Sequence, residues 1–181
     1  MVSVRKSHLM SEHSFEQWLG QLDLSDAKKQ ALETLWQKIQ GDFDQSKESL
    51  SKSLEMVEIL AELNLDKDSL CAAFIYPLVE YKSLTLEQAQ ERFSKSVFGL
   101  VHGVEQMDAI KALQQGHSSQ VAINQIDNIR KMLLAMVDDV RAVVIKLAER
   151  LCYLRIVKNA DEETRVLAAK ETANIYAPLA N

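Results

Sequence analysis

The chain has few of the residues that interrupt regular structure. Its 181 residues include only 5 glycines and 2 prolines. A β-sheet protein of this length needs more turn residues than that between its strands, so the composition predicts a fold built almost entirely of helices. The length is typical of one domain and is sufficient to bury a stable core.

Cysteine, long apolar runs and excess positive charge are also scarce. The 2 cysteines, Cys71 and Cys152, lie in apolar helical stretches, which predicts buried free thiols rather than a disulfide framework. No apolar run is long enough to cross a membrane, and the polar N-terminus lacks the apolar core of a signal peptide; we therefore expect a cytoplasmic protein. A net charge of −5 without a basic stripe predicts no direct nucleic-acid binding.

Apolar spacing and capping residues divide the chain into successive helices. The predicted helix starts are Ser25-Asp26, Asp66, Thr85 and the acidic run at Asp161. A serine- and lysine-rich stretch at residues 46–53 is predicted to separate two helices, and Pro77 to disturb the end of a helix because proline lacks a backbone N–H. Residues 116–120 are expected to form a loop, and Trp18 and Trp36 to anchor the core.

Residues 128–155, NIRKMLLAMVDDVRAVVIKLAERLCYLR, are the most informative segment. Apolar side chains recur there at helical spacing in two stripes. The first comprises Met132, Leu133, Met136 and Val137, and the second Val140, Val143, Val144, Leu147 and Leu151. The acidic pair Asp138-Asp139 between them is typical of a helix start. A solvated helix face accounts for Lys146 but not for Glu149-Arg150, because a further apolar group follows that pair.

Two further segments are informative in combination with residues 128–155. They are residues 59–73, ILAELNLDKDSLCAA, and residues 175–181, IYAPLAN. Jointly the three resemble the hydrolase domain of the RelA/SpoT family, whose members make and degrade guanosine penta- and tetraphosphate. The resemblance implies an all-α fold, an HD-domain-like bundle of helices. Residues 1–45 would supply its N-terminal helices after a loose first dozen. Residues 46–181 would form a degenerate HD core, ending at the connector toward a synthetase domain absent from this chain.

Active members of this family hold a divalent metal ion, usually manganese, with histidine and aspartate side chains, and the metal activates the attacking water. The resemblance places these ligands at Lys52, Tyr76, Pro77 and Glu149. Lys52 has no lone pair to donate and its charge repels a metal ion, and Pro77 has no coordinating side-chain atom. The resemblance therefore implies that manganese binding is lost, with no metal site and no catalytic residue. Without those ligands, Glu149 and Arg150 are expected to form an internal ion pair or line a polar remnant cleft.

The other positions that the resemblance assigns to the hydrolase site are altered in part. Glu80 keeps the first member of an acidic pair, while Tyr81 replaces the second. Tyr153 replaces an asparagine. Arg150 and Arg155 are retained as candidate remnants of nucleotide binding.

The resemblance thus implies a catalytically inactive hydrolase domain of a RelA-type (p)ppGpp synthetase, a GTP pyrophosphokinase of the stringent response. The domain would regulate the adjacent synthetase domain in cis, and the parent protein would reach the ribosome through its other parts. Two alternatives stay open. One is residual metal-dependent (p)ppGpp 3′-pyrophosphohydrolase activity that uses Glu80, Glu149 and His102, although a partly buried, hydrogen-bonded side chain is the favoured interpretation of His102. The other is a guanine-nucleotide sensor that binds without cutting.

Overall fold

A computed structural model describes residues 12–40, 47–115 and 138–180. Over those ranges the regular structure is helical and contains no strand, which confirms the predicted all-α class. The predicted loop at residues 116–120, the apolar stripe at residues 132–137 and the boundary at residue 45 lie outside the described residues and stay predictions. The chain divides into two compact units, residues 1–98 and residues 99–181.

In residues 12–40 and 47–98, the first unit contains five helices and the start of a sixth. They are α1 (Glu12–Gly20), α2 (Asp26–Ile39), α3 (Lys47–Glu62), α4 (Lys67–Glu80), α5 (Leu86–Arg92) and the beginning of α6 (Lys95–Gln115). Two predicted starts are confirmed by side-chain caps. Asp66 accepts hydrogen bonds from the backbone N–H groups of Asp68 and Ser69, and Thr85 forms a capping box with Gln88.

An aromatic cluster forms part of the core of this unit and contains both tryptophans. The rings of Phe15 and Trp36 are stacked with centroids 4.6 Å apart, and Phe74 contacts both edge-on. Trp18 lies against Phe15 and donates its indole N–H to Glu58 at 2.7 Å. The predicted role of Trp18 and Trp36 as core anchors is confirmed.

Helix α4 continues through its proline, so the prediction that Pro77 disturbs the helix end is wrong. The helix reaches Glu80, and the backbone N–H of Tyr81 still bonds to the carbonyl oxygen of Pro77 at 3.0 Å. Every residue from 69 to 79 is buried. A proline inside a helix costs about 3 kcal/mol or more, and burial on all faces supplies a larger opposing term.

The serine- and lysine-rich stretch at residues 46–53 does not separate two helices, because α3 begins at Lys47. Ser49 and Ser53 are fully buried inside this helix. The Ser53 hydroxyl donates to the carbonyl oxygen of Phe74 at 2.7 Å. A buried hydroxyl that makes such a hydrogen bond no longer carries the energetic cost of an unsatisfied polar group. A serine-rich stretch can therefore form the buried face of a helix.

In residues 99–115 and 138–180, the second unit contains the rest of α6 and three further helices. They are α7 (Val140–Val157), α8 (Glu162–Glu171) and, after a π-helical turn at Thr172–Tyr176, the short α9 (Ala177–Leu179). Asp139 caps α7 and Asp161 caps α8, as predicted. The structure revises one detail, since the last predicted helix changes at Thr172 from α- to π-helical hydrogen bonding.

Helix α7 buries the predicted apolar stripe only in part. Val140 is 71% exposed and Leu151 is 40% exposed, whereas Val143 packs against Met107 of α6. The buried positions are Ala142, Val143, Ile145, Lys146, Ala148, Glu149, Arg150, Cys152 and Val157. Three charged residues therefore face inward, and their partners lie within this unit.

Both cysteines are buried free thiols, as predicted. Burial, and next the carboxylate of Asp68, raise the pKa of the Cys71 thiol to about 12. Within the described ranges, no helix combines the length and the apolar character that a membrane span requires.

Candidate functional site

Lys52, Glu80 and Tyr81 come together in the first unit, and we call them the Lys52 cluster. Lys52 projects from α3 and is only 7% exposed. Its Nζ lies 2.7 Å from one carboxylate oxygen of Glu80 and 3.0 Å from the other, and 5.9 Å from the centre of the Tyr81 ring. Three of the predicted site residues thus form one ion pair with an aromatic neighbour.

Tyr76 and Pro77, which the resemblance aligns with the family's His-Asp pair, lie one turn earlier on α4. Helical spacing places Tyr76 on the same face as Glu80, and Pro77 on the same face as Tyr81. Tyr76 is 2% exposed and Pro77 is buried. Both residues belong to the packed interior of the first unit.

A second lysine, Lys146, binds two carboxylates in the second unit. Its Nζ lies 2.7 Å from Glu149 of the same helix and forms a short ion pair with Asp108 of α6. Lys146 is 3% exposed, so the prediction of a solvated position is wrong. Burial alone would lower the pKa of Lys146, but the carboxylates of Glu149 and Asp108 outweigh it and raise the pKa above its ordinary value. Lysine can be buried here because it stays charged between two anions.

Arg150 is buried and bonded to residues of the C-terminal segment. Its guanidinium donates to the carbonyl oxygen of Ala168 at 2.8 Å and to the hydroxyl of Thr172 at 3.0 Å. It also lies 3.0 Å from the carboxylate of Glu171. Glu149 and Arg150 are therefore both in ion pairs, but with other partners than the expected one, since Lys146 pairs with Glu149 and Glu171 pairs with Arg150.

Two tyrosines complete the surroundings of this guanidinium. The ring centre of Tyr153 lies 4.7 Å from the central carbon of Arg150, and that of Tyr176 lies 4.6 Å from it. Such distances are typical of cation–π contacts. Arg155, the other candidate nucleotide ligand, is partly buried at the end of α7.

A divalent metal ion does not fit the residues that the resemblance aligns with the family's metal ligands. The Lys52 ammonium stands next to Glu80, and Lys146 binds Glu149, so each of these carboxylates already has a cation. Across the described residues, no three side chains of His, Cys, Asp or Glu gather into a group that could hold a metal. His102 is 45% exposed, with Nδ1 3.8 Å from the carboxylate of Glu105.

The two units divide the predicted site residues between them. The first unit contains Lys52, Tyr76, Pro77, Glu80 and Tyr81, and the second contains His102, Glu149, Arg150, Tyr153 and Arg155. Sequence reasoning missed the partners Asp108, Glu171 and Thr172. The spacing of Lys146 and Glu149 by three residues was a usable signal, because residues three apart meet on one helix face.

Residues 30–181 match the HD domain as a protein family. The chain belongs to the HD-domain family. A GTP pyrophosphokinase of Escherichia coli (strain K12) is 47% identical to it over 100% of this chain and 25% of that protein. A guanosine-3′,5′-bis(diphosphate) 3′-pyrophosphohydrolase of Haemophilus influenzae is 36% identical over 78% of this chain and 20% of that protein.

The bifunctional (p)ppGpp synthase/hydrolase SpoT of Escherichia coli (strain K12) is similar as well, at 37% identity over 68% of this chain and 17% of that protein. These relatives confirm the predicted place of this HD domain in the RelA/SpoT family. The chain spans about a quarter of the length of the GTP pyrophosphokinases that it matches.

Proposed function

We propose that this HD domain is the catalytically inactive hydrolase domain of a RelA-type (p)ppGpp synthetase, and that it regulates the adjacent synthetase domain in cis. The observation that carries the proposal is the Lys52 cluster. The ammonium of Lys52, the residue that the resemblance aligns with the family's first histidine ligand, binds the nearby Glu80 carboxylate at 2.7 and 3.0 Å.

The chemistry of alarmone hydrolysis explains why this replacement matters. In HD hydrolases the metal makes water nucleophilic and neutralises phosphate charge. An ammonium has no open coordination position to bind and activate water, and no lone pair with which to hold a metal ion that would do so. Taken without its Glu80 partner, at about 4 Å and an effective dielectric near 20, it would repel a dication by roughly 8 kcal/mol, and within the ion pair it withholds the Glu80 carboxylate from a metal ion. Lys52 therefore opposes the metal rather than merely failing to bind it.

The relatives support the synthetase lineage over the hydrolase lineage. The GTP pyrophosphokinase of Escherichia coli matches the whole chain at 47% identity. The two relatives whose names include hydrolysis match only part of the chain, at 36% and 37% identity. The proposed parent protein transfers pyrophosphate from ATP to GTP or GDP. Its contact with the ribosome stays a prediction about other parts of that protein.

The regulatory half of the proposal rests on the Arg150 contacts. A domain without a reaction can bias its neighbour only if the two make different contacts in the active and inactive states. Arg150 bonds to residues 168, 171 and 172 and lies against Tyr176. Tyr176 belongs to the IYAPLAN segment that resembles the family's connector to the synthetase domain, so these contacts bear directly on how that connector is held.

Hydrolysis is tested with purified domain, guanosine tetraphosphate and manganese chloride, with the SpoT relative as the positive control. We expect no release of pyrophosphate above background. Metal-dependent release that disappears in Glu149→Ala would instead establish the residual hydrolase, which the relatives named for hydrolysis favour as the second candidate.

Regulation is tested in the full-length parent by measuring pyrophosphate transfer with Arg150→Met. We expect the synthetase rate to change, because the connector loses its anchor in α7. Arg165→Met is the matched control, since Arg165 is an exposed arginine of α8. Equal rates in the two variants and the parent would refute regulation through this contact.

Calorimetry with guanosine tetraphosphate addresses the nucleotide sensor, and binding heat that depends on Arg155 would support it.

A further inference from the structure

We propose that the Lys52 ammonium is a tethered cation that takes the structural place of the divalent ion within the first unit. It binds the Glu80 carboxylate and joins α3 to α4, so that this unit folds without metal. The proposal uses the alignment of Lys52 with the family's first histidine ligand. It holds whether or not the domain regulates a synthetase.

The geometry is that of a directed ion pair in which the ammonium is buried and the carboxylate side chain is 34% exposed. Lys52 lies inside α3 and Glu80 is the last residue of α4. The ammonium bonds to both carboxylate oxygens, and its side chain is almost fully withdrawn from water. Hydrogen bonds between two charged groups are shorter and about twice as strong as neutral ones. The pair therefore links α3 and α4, which share the most extensive contact among the described helices of this unit.

The position of Glu80 explains why a cation is needed there. The C-terminal end of a helix carries a partial negative charge, which disfavours an anion and favours a cation. Helix α4 has no basic residue in its last turn, yet it ends with a carboxylate. Lys52 supplies the missing positive charge from the neighbouring helix, and the Tyr81 ring 5.9 Å away adds a weak cation–π contact.

The same geometry keeps a metal ion out. A divalent ion that bound Glu80 would have to displace the ammonium, and neither the buried phenol of Tyr76 nor the ring of Pro77 would replace the lost ligands. The unit thus keeps the positive charge of the family's metal and loses its coordination chemistry.

Two measurements of thermal unfolding by calorimetry test the proposal. In the first, the unfolding temperature of the unaltered domain is compared in EDTA and in manganese chloride, and we expect no difference. In the second, Lys52→Met, Glu80→Gln and the double variant are compared. Lys52→Met should lower the unfolding temperature by about 3 to 6 °C, because it removes a buried ammonium and leaves the Glu80 carboxylate, whose side chain is 34% exposed, without its cation at the negative end of a helix. Lys67→Met, which removes an exposed lysine of the same unit, should change it by no more than about 2 °C.

The double variant decides between a charge role and a packing role. If Lys52 acts as a cation, removing the Glu80 charge removes the need for it, and Lys52→Met/Glu80→Gln should unfold at a higher temperature than Lys52→Met. A Lys52→Met domain that fails to fold while the double variant folds gives the same answer. Destabilisation by EDTA, or a double variant no more stable than Lys52→Met, would overturn the proposal. Hydrolytic activity in a domain indifferent to EDTA would contradict the proposed function and leave this inference standing.

Discussion

Replacing Lys146 with methionine should destabilise the domain strongly, because it leaves the carboxylate of Glu149 buried without its cation. Glu149 is 6% exposed and Lys146 is 3% exposed, with 2.7 Å between the charged atoms. Removing one partner of a buried ion pair costs about 3 to 5 kcal/mol. For a chain of this size, each kcal/mol lowers the unfolding temperature by roughly 2 to 4 °C. We therefore expect a loss of about 6 to 20 °C.

Calorimetry measures the change in unfolding temperature. Urea unfolding at a series of pH values measures the free energy of unfolding and how it depends on the charge of Lys146. The pKa of Lys146 in the folded domain lies above the ordinary value of 10.5. Its stabilising contribution is therefore fully present below pH 10.5 and is lost as the pH rises from there through the higher folded pKa. The free energy of unfolding should fall in that alkaline range for the unaltered domain, and the fall should be smaller in Lys146→Met.

The double variant Lys146→Met/Glu149→Met provides the internal control. Asp108 is 35% exposed and keeps contact with water, so replacing both buried partners with apolar groups should recover most of the lost stability. A single variant that loses less than about 1 kcal/mol, the range of an exposed salt bridge, would refute the reasoning. So would a double variant as unstable as the single one.

Two further predictions concern the first unit. Pro77→Ala restores a backbone N–H inside α4 and should raise the free energy of unfolding by up to about 3 kcal/mol, as measured by urea unfolding. A decrease would show that the packing of the proline ring stabilises the domain more than the restored hydrogen bond does. Cys71, with a pKa of about 12, should react with a disulfide reagent at pH 8 about a thousandfold more slowly than a free cysteine with its ordinary pKa, because its thiolate fraction is lower by roughly that factor; equally fast reaction in the folded domain would contradict its burial.

The features that the sequence predicts well are local ones. Asp66, Thr85 and Asp161 mark helix starts correctly because a cap depends on a side chain and the backbone N–H groups two or three residues later. The resemblance identifies the family because it rests on whole segments. Both kinds of information are present in contiguous stretches of the chain.

The errors share one physical cause, which is compensation by distant residues. Lys146 can be buried because Asp108, 38 residues earlier, faces it. The polar start of α3 can be helical because Phe74, 21 residues later, accepts the Ser53 hydroxyl. Pro77 stays within α4 because the surrounding core buries that helix on every side. Patterns read along a single stretch carry no information about such partners.

The aromatic cluster makes the two units spectroscopically distinguishable. Both tryptophans of the chain, Trp18 and Trp36, lie in the first unit, so intrinsic indole emission monitors that unit alone. Far-ultraviolet circular dichroism monitors helices throughout the chain. Overlaying the two melting curves reveals whether the halves lose their structure in one cooperative step, since coincident transitions are the mark of two-state behaviour. The placement of two indole rings thus gives the domain a built-in, label-free reporter of its own internal cooperativity.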